Sequence, residues 1–197
     1  VPERLKRTLR PARARRAALI AGSVALGAVL GGMAGWHLHD WWRPAAAPVA
    51  EAGAAMVRRA AMAHATYSPE VRYPVEVRAD QEQHLVAWLS KRVGVKLNAP
   101  KLQDVGMSLV GGRLLPGETG PVALFMYETP AGQRVTLYVR TAATNSRETA
   151  FRYAREGNVR VFYWVDSKLG YALSSADISK EDLLKVANAA YQQLNPP

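Results

Sequence analysis

Cysteine is missing from all 197 residues, which excludes a disulfide framework, thiolate zinc ligation and a cysteine nucleophile. A Walker-type phosphate loop, a G-x-S-x-G elbow and an H-E-x-x-H pair are missing too. Nucleophilic, phosphoryl-transfer and zinc-peptidase chemistry are built on those spacings. The expectation is therefore no enzyme activity, no cofactor and no metal site. Histidine is scarce, at positions 37, 39, 64 and 84 only. His37 and His39, beside Asp40, diverge if the backbone there is helical, and no third ligand is near in sequence, so they read as an interfacial polar pair. His84 lies beside an apolar stripe and reads as a packed or surface histidine.

Acid is scarce at the amino end. Glu3 and Asp40 are the two acidic residues of the first 40, whereas residues 1–16 carry Arg4, Lys6, Arg7, Arg10, Arg13, Arg15 and Arg16. That tail holds +6 of the formal +10, leaving +4 for the other 181 residues. The body is only mildly basic, and with 49% apolar residues it has the composition of a folded chain.

Residues 17–36 run AALIAGSVALGAVLGGMAGW without a formal charge. As a helix, twenty residues extend about 30 Å, the thickness of a hydrocarbon core. Arg15 and Arg16 precede the run, and Trp36, Trp41 and Trp42 follow it. Basic residues before a span place its amino end in the cytoplasm, and tryptophan suits the lipid–water interface. A secretory signal has a shorter apolar core and a small-residue cleavage site. The length and the tryptophan-rich exit favour an uncleaved anchor over 17–38. Anionic lipid headgroups then account for the basic tail without nucleic acid. Gly27, Gly31 and Gly35 recur every fourth residue, a spacing that lets two spans pair and allows a homodimer. Plain Gly/Ala composition explains it equally. Glycine also eases local unwinding, which suits an intramembrane protease.

Past the span, 39–66 reads as a stalk: RPAAAPVAEAGAA over 43–55, then a short helix over 56–65 with Arg58 and Arg59 exposed. The folded domain is expected over 67–197. Pro69 and Pro74 keep 67–80 extended. Leu85, Trp88, Leu89 and Val93 recur at helical spacing, and Gly94 stops that helix. Strands are expected at 105–110 and 113–115 around Gly111-Gly112, then at 122–128, 134–141, 159–165 and 171–174. In 134–141 one face is Val135, Leu137 and Val139; the other, Arg134, Thr136, Tyr138 and Arg140, is expected to face solvent. Ser179 and Asp182 open a closing helix with Leu183, Val186, Ala187, Ala190, Tyr191 and Leu194 on one face. The reading is α+β: a transmembrane helix, then a mostly antiparallel sheet of four to six strands between two helices. In Phe162-Tyr163-Trp164 only one parity can face the core. The other, Phe162 with Trp164 or Tyr163 alone, is a candidate partner surface.

Pro2-Glu3-Arg4-Leu5, the anchor, YPVEV at 73–77, HLVAWLSKR at 84–92, GMSLVGGRLLP at 106–116, MYE at 126–128 and YWVD at 163–166 together resemble the predicted transmembrane anti-sigma factors of proteobacteria. The resemblance runs over nearly the whole chain, most specifically in W-L-S-K-R and G-G-R-L-L-P. It implies a single-pass inner-membrane protein with a periplasmic carboxyl-terminal domain. A cytoplasmic domain would hold an extracytoplasmic-function sigma factor away from RNA polymerase until a signal arrives outside. Release would follow proteolysis or a conformational change. Residues 1–16 would be the trailing edge of that cytoplasmic domain, whose main part is expected upstream of Val1. The His/Cys zinc motif of some relatives has no counterpart here. The rival expectation is a membrane-tethered periplasmic binding or assembly module with no transcriptional role; an enzyme with a cleft in the outer domain comes third.

Overall fold

Seven antiparallel strands form one sheet in the order β1-β2-β3-β4-β7-β6-β5. They belong to a computed structural model that describes residues 47–142, 149–166 and 168–195. In chain order the elements are α1 (Ala47–Tyr67), β1 (Val77–Arg78), α2 (Glu82–Val93), β2 (Ser108–Pro116), β3 (Pro121–Glu128), β4 (Arg134–Thr141), β5 (Thr149–Glu156), β6 (Val159–Asp166), β7 (Leu169–Ser175) and α3 (Lys180–Leu194). The basic tail and the anchor over 17–38 lie outside the described residues. Among those residues no helix is long and apolar enough to cross a membrane.

The α+β class is as expected; the strand count is not. Seven strands replace four to six: the segments expected at 105–110 and 113–115 are one bulged strand, β2, and β1 and β5 are the additions. β1 pairs Val77 with Gly112 and Arg78 with Gly111. This is possible because β2 bulges between Leu109 and Gly111, where Gly111 has φ +150°. A Cβ there would run into the Val77 carbonyl, so only glycine lets the two backbones meet. The sheet consists of two meanders, β1–β4 and β5–β7, joined where β4 lies against β7.

Helices cover both faces. α2 and α3 bury Leu85, Leu89, Leu183, Val186 and Ala190 against Ala123, Phe125, Val135, Leu137 and Leu173. Gly94 ends α2 as expected, its N–H donating to the Ser90 carbonyl at 2.9 Å. Ser179 caps α3, its hydroxyl oxygen accepting the Asp182 N–H at 3.1 Å.

The opposite face is a correction to the expected stalk. Residues 47–67 form α1, which lays Met56, Val57, Ala60, Ala61 and Ala63 on Leu115, Val122, Leu124, Tyr138, Val161 and Ala172. Alanine is the best helix former, so a run that reads as featureless linker folds as a helix once a surface is present to cover. Thr136 and Tyr138, expected to face solvent, are therefore buried. With both faces covered, the central strands are buried on both sides: β3 is buried over 122–127 and every residue of β7 is buried.

Candidate functional site

The expected partner surface is overturned first. Phe162 and Trp164 are 4% and 1% exposed and belong to the core between the sheet and α3. The Trp164 ring lies near-parallel to Tyr171 at 5.0 Å and edge-on to Tyr191 at 5.5 Å, while its Nε1–H donates to Asn195 Oδ1 at 2.9 Å. Phe151 of β5 stacks on Phe162 at 5.2 Å. The aromatics close the sheet against α3, because α3 covers the parity that the triplet alone left open. Tyr163, the half-buried residue of the three, sits beneath α1 beside Gly53. Arg15, Arg16, Gly27, Gly31, Gly35, Trp36, Trp41, Trp42, His37 and His39 lie outside the described residues. His84 is on the exposed side of α2.

The polar centre of the fold lies in the seam between α1 and the sheet, at a histidine the sequence did not single out. His64 is 1% exposed. Its Nε2 accepts the backbone N–H of Ala176 at 3.2 Å, and its Nδ1 lies 3.0 Å from Thr136 Oγ1. A backbone N–H can only donate, so Nε2 must present its lone pair and the ring proton must sit on Nδ1, donating to the Thr136 hydroxyl. The neutral ring thus bridges α1, β4 and the end of β7. This proton order is opposite to that of a histidine activating a hydroxyl nucleophile, which must accept from the hydroxyl. Burial pushes the His64 pKa down to about 4, against a smaller upward pull from the Asp177 carboxylate.

Arg134 clamps the same seam. Its guanidinium pairs with Glu128 at 2.8 Å and donates to the carbonyls of Ser68 and Glu70 at 2.5 and 2.6 Å, at the carboxyl end of α1. The Arg134 backbone is held in turn, its N–H donating to Asp177 Oδ2 at 3.0 Å and its carbonyl accepting the Ser175 hydroxyl at 2.7 Å. His64, Arg134 and Asp177 border a cavity of about 320 Å³. The seam also contains cost. Three buried polar atoms have no hydrogen-bond partner among the described residues: Arg113 Nε, Arg140 Nε and Ser174 Oγ. Strand alternation places all three on the α1 face. Arg113 lies over the Tyr67 ring at 3.7 Å, Arg140 follows Tyr138 by two residues, and Ser174 opposes Thr136 across the β4–β7 ladder. Each orphaned group forfeits about 1–3 kcal/mol of solvation. The α2/α3 face contains no such atom among the described residues.

A second concavity, about 830 Å³, runs between α2 and the end of α3, lined by Val86, Ser90, Leu97, Pro100 and Leu194 among others. Two of its lining residues are tied together by Lys101, which pairs with Glu82 at 2.6 Å and bonds through its backbone to Gln193. Among the described residues no three His, Cys, Asp or Glu side chains converge as a metal site would require.

The chain matches no family model, no curated protein and no solved structure.

Proposed function

We propose that this protein is a membrane-bound anti-sigma factor, holding an extracytoplasmic-function sigma factor on the cytoplasmic side and releasing it when its outer domain receives a signal. The observation that carries the reading is the order of parts: a +6 tail, twenty uncharged residues, interfacial tryptophans and then an α+β domain. Such an order suits transmission of an outside event to an inside partner. α1 supports it from the other end, because the first helix of the domain starts only a few residues after Trp42.

The alternative is a membrane-tethered periplasmic binding or assembly module with no transcriptional role. The open groove between α2 and α3 favours it, since it sets apolar Val86, Leu97 and Leu194 beside polar Glu82, Ser90 and Gln193, the mixture that a small-ligand cleft uses.

One measurement separates the two. The native protein, tagged at its carboxyl end, is extracted gently from its membrane; its intact mass and the proteins that copurify are then determined. A mass several kilodaltons above 21.5 kDa plus tag, with a sigma factor alongside, is the result expected. A mass matching residues 1–197 with no sigma factor overturns the anti-sigma reading in favour of the tethered module.

A further inference from the structure

We propose that His64 is an acid latch: protonation of its ring detaches α1 from the sheet, so the outer domain converts external acidity into release of its first helix. The geometry requires this direction. Nε2 faces the Ala176 N–H at 3.2 Å, and a proton on Nε2 sets two donors against each other at a ring that is 1% exposed. The ring cannot turn to escape, because a charged imidazole donates from both nitrogens. Protonation therefore costs His64 its bond to the end of β7 wherever α1 stays docked, and nothing where α1 has lifted into solvent. Burial alone keeps the ring uncharged throughout the neutral range.

The charges around the ring do not rescue the cation. On the loop between β7 and α3, Asp177 is the one carboxylate that draws a proton towards His64, and it already accepts the Arg134 N–H. On β4 the Arg134 guanidinium borders the same cavity and is itself cationic. Glu128 of β3 is engaged by that guanidinium, and Glu70, just past α1, accepts the N–H groups of Arg72 and Tyr73. Arg160 of β6 holds the Ala176 carbonyl at 3.1 Å and brings a further positive charge to that peptide. On α1 itself, Arg59 is committed to Glu118. The turn between β5 and β6 contributes the neutral Asn158.

An independent observation makes α1 the layer that yields. Arg113 Nε, Arg140 Nε and Ser174 Oγ, the buried polar atoms without a partner, all lie beneath it. They regain water when α1 lifts, whereas the α2/α3 face offers no comparable return. Three of the five apolar residues that α1 fully buries are alanines, beside one valine and one methionine, with Tyr67 half-buried at its end. Opening of α1 with the sheet and the other helices intact is the sub-global step that these partnerless atoms favour. That acidity is the signal outside the cell rests on the anti-sigma reading; the latch itself does not.

The test is hydrogen–deuterium exchange on the full chain in nanodiscs between pH 7.5 and 4.5, with rates corrected for intrinsic exchange. Protection of peptides covering residues 56–67 should fall about tenfold by pH 5.5 and approach a hundredfold by pH 4.5, as linkage to a ring that titrates near 6.5 once released requires. Peptides from β3, β4 and α2 should hold their protection. In His64→Gln the amide accepts and donates in the same places without titrating, and the α1 response should be flat. Equal loss in wild type and His64→Gln, or no loss in wild type, overturns the latch. Nitrogen-15 shifts of the wild-type histidines keep the test open if the variant misfolds. A His64 ring with its proton on Nε2 at pH 7.5, or one that charges near pH 6.5 while α1 stays protected, overturns it equally. Sigma-factor copurification is scored separately, so failure of the functional reading leaves the exchange result standing.

Discussion

His64 shows how much one buried side chain can impose on a domain. Its two ring bonds demand the neutral form, and its pKa of about 4 in the fold lies below the ordinary 6.5 of the released chain. Between those values the unfolded chain binds the extra proton. The stabilisation is therefore whole above pH 6.5, declines as pH falls towards 4, and changes no further below that. The interval corresponds to about 3 kcal/mol, a large fraction of the stability of a small domain. Urea unfolding at stepped pH should show wild type losing that amount relative to His64→Gln between pH 7 and 4. Subtracting the variant removes the acid sensitivity that carboxylates such as Asp182 contribute to both proteins. Parallel pH profiles would refute the assignment of a buried neutral ring. Nothing around position 64 in the sequence flags this role. The neighbours are alanines, and the partners, Thr136 and Ala176, are 72 and 112 residues away.

Among the elements, α1 and α3 cover opposite faces by different means. α3 closes on an aromatic cluster in which Trp164 touches Tyr171 and Tyr191 while its indole N–H is held by Asn195. Trp164→Ala should cost about 3–5 kcal/mol, since a large buried ring is replaced by a cavity. Asn195→Ala should cost about 1 kcal/mol, the worth of one net hydrogen bond. Thermal unfolding of the two variants decides the point: near-equal, small effects would mean that Trp164 is not the core residue described. α1 instead seats three alanines, a valine and a methionine and bridges to the sheet through His64 and Arg134. Gly170 shows how close that approach is, because a Cβ there would meet the Met56 sulfur at 2.9 Å. β5 was missed in the sequence for a related reason. TAFRYARE mixes arginine and alanine with two aromatics and has no alternation, and it becomes a strand through its ladder with β6 and the packing of Phe151.

For the whole molecule, the proposed anchor makes a prediction independent of any partner. The protein should sediment with membranes and resist extraction by alkaline carbonate, as one apolar span of twenty residues requires. A charged pair introduced by Leu26→Arg with Val29→Arg should free it, because each charge at mid-span costs about 3 kcal/mol on insertion. Solubilisation of the unaltered chain by carbonate alone would contradict the anchor and, with it, both membrane readings of the function.

What could be read in the sequence is what depends on local pattern. Helical spacing located α2 and α3, Ser179 and Gly94 marked helix ends, alternation located β4, and apolar runs located β3 and β6. The tertiary structure decided what depends on residues far apart in the chain. It placed β7 between β4 and β6, turned an alanine-rich stalk into a covering helix, and buried Thr136, Tyr138, Phe162 and Trp164, whose exposure no single strand could settle. It also built the candidate site. A histidine can act as the proposed latch only where a backbone N–H and a hydroxyl from distant segments meet its two nitrogens at a buried ring, and burial of that kind arises from the packing of layers rather than from any local run of residues.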